Sequence, residues 1–234
     1  MNREIFQKAL NDLKFIRNLF YPGMIKPEMV LTQSNTRNLN NPVIRSSVLF
    51  LFALTMVIFF TTVLNLSEIK HAYRITSEYF SIMNKTPGYA ATTLIPWNRF
   101  LFFFIWVIAT LLFSIIRMLF LSVGSTKVWN SELISLHFLS FIPVYIFAAI
   151  NSLYENIFPF YPDKEAGLQT SHLNLFMLLL PISIFLEWRI VYRYLRRVHE
   201  MRKLTANLVA ASPLILSVFL LGASLILYTV YVVA

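Results

Sequence analysis

The chain has 234 residues, 57% of them hydrophobic and only 13% charged, with a formal net charge of +9 and a mean hydropathy of +0.64. Soluble domains carry about 25% charged residues, and a folded chain of this size keeps too much surface to hide so much apolar side chain from water, so an ordinary water-soluble globule is excluded. Cysteine is absent, which removes disulfides, thiolate metal sites and cysteine nucleophiles.

Residues 3–20 read as an amphipathic helix in which Ile5, Ala9, Leu13, Ile16 and Phe20 share one face. Arg3, Lys8 and Lys14 flank that stripe, so the helix either lies flat on an anionic leaflet or docks on the cytoplasmic ends of a bundle. Charges every few residues exclude a secretory signal. Tyr21-Pro22-Gly23 ends the helix, and a polar linker runs to Asn41-Pro42 at the entry to the first long apolar segment.

Five apolar segments follow, at about 48–66, 100–123, 133–150, 173–191 and 208–234. A helix needs about 20 residues to cross a hydrocarbon core roughly 30 Å thick. The fourth segment crosses only if Glu187 and Arg189 sit at the interface, where long charged side chains reach headgroups. The expected fold class is therefore all-α: a polytopic membrane protein with a bundle of five transmembrane helices and an N-terminal amphipathic helix. Residues 1–47 form a cytoplasmic N-terminal region and residues 48–234 the membrane domain.

Basic residues set the orientation. Seven precede the first span, Lys127 lies between the second and third, and six occupy "RIVYRYLRRVHEMRKL" at 189–204. The opposite side holds Lys70, Arg74, Lys85, Arg99 and Lys164. Positive charge resists translocation, so the N-terminus is expected in the cytoplasm and the C-terminus outside, in a bacterial inner membrane. Arg189, Arg193, Arg196, Arg197, Arg202 and Lys203 are first a topology determinant. Their second reading is a cytoplasmic basic face that docks anionic lipid or a protein. No nucleic-acid motif accompanies the charge, so nucleic acid is not an expected partner.

Ionisable residues inside the spans are functional candidates by default, because withdrawing their charge from water is costly. Arg117 lies six residues before Val123, roughly 9 Å from the helix end at about 1.5 Å per residue. Threading the spans brings Glu187, Glu132 and His137 to the same inner third. Arg117, Glu132, His137 and Glu187 are thus expected to form an intramembrane polar cluster. It is read either as a packing lock in which Arg117 pairs with Glu187 or Glu132, or as a proton or substrate site. Pro143, Pro181 and Pro213 fall inside spans, where they bend helices. No nucleophile elbow, phosphate loop, dinucleotide fingerprint or metal-ligand spacing occurs. Neither an enzyme nor a cofactor is expected.

Two stretches carry a resemblance. "GSTKVWNSELISLHFLSFIPVYIF" and "IVYRYLRRVHEMRKLTANLVAASPLIL" resemble the middle and last spans of the Yip family of five-pass membrane proteins. The resemblance implies a five-helix fold over about residues 45–234. The Asp-Leu-Tyr-Gly-Pro motif of the eukaryotic branch is absent, and Phe138 and Leu139 replace Gly-Tyr ahead of Pro143, so Rab GTPase binding is not implied. "YPGMIKPEMVLTQSNTRNLNNPVIRSSVLFLF" and "LLFSIIRMLFLS" are also similar to an uncharacterised bacterial five-pass family that often carries a zinc ribbon, which a chain without cysteine lacks.

Two functions stand at this point. One is a non-enzymatic membrane adaptor that engages partners or anionic lipid through the basic face, alone or as a homo-oligomer packed through Gly222-Ala223-Ser224. The other is a permease or channel for a small or lipidic substrate with a cavity near Arg117.

Overall fold

The computed structural model describes residues 7, 10–11, 14–17, 19–33, 39, 41–82, 96–123, 130–158 and 170–233. Ile5, Ala9 and Leu13 of the expected amphipathic face lie outside these residues, as do the segments 83–95, 124–129 and 159–169 and the side chains of Gly222, Ala223 and Ser224. Every regular element among the described residues is helical. Short helices α1 (Tyr21–Ile25) and α2 (Pro27–Gln33) precede α3 (Pro42–Leu64) and α4 (Leu66–Ile82). A 3-10 turn, Trp97–Arg99, leads into α5 (Phe100–Val123), followed by α6 (Asn130–Ser140), α7 (Ile142–Ile157), α8 (Thr170–Val198) and α9 (Lys203–Val233).

Among the described residues three stretches are long and apolar enough to cross a membrane: Pro42–Leu64, Phe100–Ser122, and α6 with α7 together as Ser131–Ile157. The third is 72% buried within the protein, against 28% and 22% for the others, so it is the central element around which the rest pack. Sequence reading placed this span at 133–150. The helical run is longer because polar residues at both ends, Asn130 and Ser131 at one and Asn156 at the other, continue the helix past the apolar core. Pro143 explains its break at Phe141, since the ring removes one helical donor and crowds the preceding turn.

Polar side chains are buried among the apolar core of the bundle, while its outward faces are apolar. The inner stripe of α5 is Thr110, Ser114, Arg117 and Leu121, all buried, at the three- and four-residue spacing of one helix face. Its outer face presents Leu101, Phe104, Ile108, Leu112, Ile115 and Leu119, all exposed. On α3 the buried stripe includes Ser47, Leu51, Thr55, Ile58 and Thr62. Thr55 and Thr62 donate back to the Leu51 and Ile58 carbonyls, so their hydroxyls need no outside partner. Exposed apolar faces with small polar residues buried between helices suit lipid, where apolar faces gain nothing by hiding and small inner residues let helices approach closely.

Polar pins hold the two ends. Asn41 caps α3, its Oδ1 accepting from the Val43 and Ile44 N–H groups while Pro42 occupies the first turn, where no donor is needed. Asn41 Nδ2 also donates to Ser135 Oγ at 2.8 Å, tying α3 to α6. At the other end Arg99 donates to Thr62 Oγ1 and Asn156 Oδ1, and Asn156 Nδ2 donates to the Ile58 carbonyl and Thr61 Oγ1. One buried asparagine therefore joins α3, α7 and the start of α5. These contacts make the chain alternate direction: α3 leaves the Asn41 end, α5 returns to it, and α6 with α7 leaves again.

Asn41→Ala is expected to lower stability by about 1–2 kcal/mol through loss of the cap, read as a drop in thermal midpoint in detergent. Asn41→Asp, which keeps the cap acceptor but cannot donate to Ser135, is expected to fall between wild type and alanine.

Candidate functional site

Arg117 is the largest of the fully buried side chains, 1% exposed on the inner stripe of α5. A guanidinium there needs an anion and acceptors for its donors, because an uncompensated ion in an apolar medium costs many kcal/mol. The fold supplies them from three other helices. Nη1 and Nη2 donate to Glu187 Oε1 and Oε2 of α8 at 2.5 and 2.9 Å, the fork geometry that makes arginine–carboxylate pairs strong. Nη1 also lies 2.7 Å from His137 Nε2 on α6. Nη2 donates to the Ala210 carbonyl of α9 at 2.6 Å.

The partners settle the imidazole's roles. His137 Nδ1 is 2.6 Å from the Leu133 carbonyl, which only accepts, so Nδ1 carries the hydrogen and Nε2 accepts from the guanidinium. Ser140 Oγ, one turn on, donates to Glu187 Oε1 at 3.1 Å. The carboxylate thus takes three hydrogen bonds and the imidazole two, which leaves neither as a free base.

Next to the α9 acceptor, local sequence compensates a proline. Pro213 leaves the Val209 carbonyl without its helical donor, and Ser212 Oγ fills the vacancy by donating to it at 2.8 Å. The neighbouring Ala210 carbonyl is the one Arg117 takes. Two atoms on the inner stripe of α5 stay unsatisfied, Arg117 Nε and Ser114 Oγ.

Of the four residues expected together, the structure brings Arg117, His137 and Glu187 into one hydrogen-bonded group. Glu132 stands apart. It accepts from Tyr194 Oη and lies 3.0 Å from His199 Nε2, in a group that joins the start of α6 to the end of α8. Burial, then the Glu132 contact, pushes the Tyr194 phenol above its ordinary value of 10, so it stays protonated and donates.

The basic stretch divides in two. Arg193 and Arg197 turn toward α2, where Glu28 Oε1 accepts from them at 3.2 and 2.7 Å. Arg196 donates to the Met201 carbonyl and closes the turn between α8 and α9, in which Glu200 adopts a left-handed φ of 48°. Arg189, Arg202 and Lys203 are exposed, with no charged partner among the described residues. Glu28, Tyr194, His199, Ser140 and Ala210 were not singled out from sequence. Glu28, as the acidic residue at the start of α2, carries a local signal that points to one of them. Among the described residues no group of three His, Asp or Glu is placed to hold a metal.

Removing one partner of a buried pair costs about 3–5 kcal/mol because the other is left uncompensated. Arg117→Met and Glu187→Met are each expected to reduce stability on that scale in reversible micellar unfolding. The double variant is expected to lose far less than their sum.

Burial raises the Glu28 carboxyl, but its own backbone N–H, the hydrogen bonds of Arg193 and Arg197 and the charge of Arg193 outweigh that and hold it below 4.5. The unfolded chain therefore takes up the proton first, and the docking contribution is present above about pH 4.5 and lost as pH falls through the lower folded value. Hydrogen-exchange protection of α2 is expected to fall over that window in wild type and to be low and flat in Glu28→Gln. Comparison with protein-family models, curated proteins and solved structures finds no match to this chain.

Proposed function

We propose that the chain is a non-enzymatic membrane adaptor that engages an anionic inner leaflet through its basic end. In this reading α8 and α9 also cross the membrane, giving five spans with an N-terminal amphipathic segment on the cytoplasmic side. The membrane is a bacterial inner membrane, and the C-terminus faces outward. The resemblance to Yip-type five-pass proteins agrees with that count.

One observation carries the reading. The buried Arg117 and Glu187 neutralise one another, whereas Arg202 and Lys203 are exposed at the α8–α9 turn and Arg189 is exposed on α8, nine residues before its end. That turn lies at the same end as α2, which Arg193 and Arg197 hold. Cations near a negative leaflet contribute about 1 kcal/mol each, so the three together favour phosphatidylglycerol over phosphatidylcholine. A permease reading has less support, because four contacts already occupy the Arg117 guanidinium.

The cysteine-free chain allows a direct orientation test. Single cysteines replacing Gly167 and Arg197 are expected to react with impermeant thiol reagents from opposite sides of the membrane. Reaction of both from one side contradicts five spans. In nanodiscs of mixed phosphatidylcholine and phosphatidylglycerol, the protein is expected to enrich the anionic lipid around itself. Arg189→Gln/Arg202→Gln/Lys203→Gln is expected to abolish the enrichment, while proteoliposomes leak small solutes no faster than empty vesicles. Equal enrichment by the triple variant, or a protein-dependent leak, contradicts the adaptor reading.

A further inference from the structure

The outer face of α8 carries an aromatic ladder. Phe185 lies 5.6 Å from Trp188, and Trp188 stacks on Tyr192 at 5.4 Å with 14° between the ring planes. The spacing of three and four residues keeps all three on one helical face, and that face runs from the apolar zone, where Phe185 is exposed, to the basic turn. Across it stands the first turn of α9. The Trp188 indole N–H donates to Asn207 Oδ1 at 3.0 Å and bridges the two helices. Between them opens a groove of about 490 Å³ lined by Trp188, Tyr192, Lys203, Leu204 and Asn207.

The geometry points to this groove as a discrete binding site for one anionic phospholipid, with the headgroup phosphate at Lys203 and the acyl chains along the α8–α9 face below. This deepens, and rests on, the proposed engagement of an anionic leaflet. Three features argue for a lipid over a soluble anion or a protein.

The first is charge. Lys203 is exposed, has no partner among the described residues, and lies in the first turn of α9, where the backbone N–H groups add the positive end of the helix dipole. Arg202 is exposed beside it.

The second is polarity along the groove. Below the lysine the same surface turns apolar, with Leu204 72% exposed, and Leu208, Phe185 and Ile182 exposed further down. A cation above an open apolar strip matches a phosphate carrying two acyl chains and wastes most of its surface on a soluble anion.

The third is level. Trp and Tyr side chains with one polar atom settle at headgroup depth, and here Trp188 and Tyr192 border the groove ten and six residues before the end of α8, opposite the first turn of α9. The Trp188–Asn207 bond sets the groove width before any ligand arrives, so little ordering is left for binding to supply.

Native mass spectrometry of the full chain in neutral detergent, titrated with phosphatidylglycerol or phosphatidylcholine, tests this. Wild type is expected to retain one phosphatidylglycerol molecule at concentrations where phosphatidylcholine is lost. Lys203→Gln is expected to weaken that first lipid about tenfold, the scale of one charged hydrogen bond. Asn207→Asp keeps an acceptor for the indole but places a carboxylate in the groove, and is expected to weaken it at least as much. Lys26→Gln removes an exposed cation elsewhere at the same end and is expected to change nothing. Glycerol 3-phosphate, the headgroup chemistry without tails, is not expected to displace the lipid.

Equal small losses in Lys203→Gln and Lys26→Gln overturn the discrete site while leaving diffuse leaflet attraction intact. Absence of any phosphatidylglycerol preference in wild type overturns both. Displacement by glycerol 3-phosphate, or equal retention of phosphatidylcholine, also overturns the assignment.

Discussion

A guanidinium sealed from water cannot stand alone, and the position of Arg117 at 1% exposure dictates much of this architecture. Its charge must meet a carboxylate and its donors must meet acceptors. The carboxylate comes from α8, an imidazole from α6 and a carbonyl from α9, so one side chain of α5 constrains the placement of three other helices. Hydrophobic packing gives little such direction in lipid, where the tails outside are as apolar as the leucines inside. Directional polar contacts are left to choose the arrangement.

The same logic recurs along the bundle axis. Asn41 and Ser135 pin one end, and Arg99, Asn156 and Thr62 pin the other. Pro213 disturbs α9, but Ser212 satisfies the carbonyl it frees, and the adjacent Ala210 carbonyl serves Arg117. The apolar outer faces of α3 and α5 carry no such information. Their role is to match the surrounding medium.

Hydropathy made the apolar helices legible, because a run of about 20 apolar residues has few alternatives. Depth along the helices brought Arg117 and Glu187 to one level, since a fixed rise per residue converts sequence distance to height. It could not separate Glu132 from His137. Five residues along a helix turn the side chain by about 140° and raise it by about 7.5 Å, so when His137 faces Arg117, Glu132 faces elsewhere and meets Tyr194 and His199. The Glu28 contacts were illegible for another reason. They join positions 165 and 169 residues apart, and no local pattern encodes which arginine meets a lone glutamate. The uncharged pins, Asn156 and Ser135, leave almost no trace in a hydropathy profile.

Height along the helix, not helix face, divides the basic stretch. Arg189, Arg193 and Arg197 recur every four residues on one side of α8, but Glu28 meets Arg193 and Arg197, while Arg189 lies one turn before them and Arg202 and Lys203 lie beyond the end of α8. Docking of α2 therefore draws on two members of one basic run and leaves the others exposed. All of this depends on the buried pair being a fixed ion pair, with both Nη groups of Arg117 engaged, within the lipid-embedded bundle. Nitrogen-15 NMR of the arginine side chains in nanodiscs, with Arg117 assigned by its loss in Arg117→Lys, measures that directly. The account predicts separately resolved, slowly exchanging Nη protons for Arg117. A single averaged guanidinium signal that exchanges rapidly with water would contradict it.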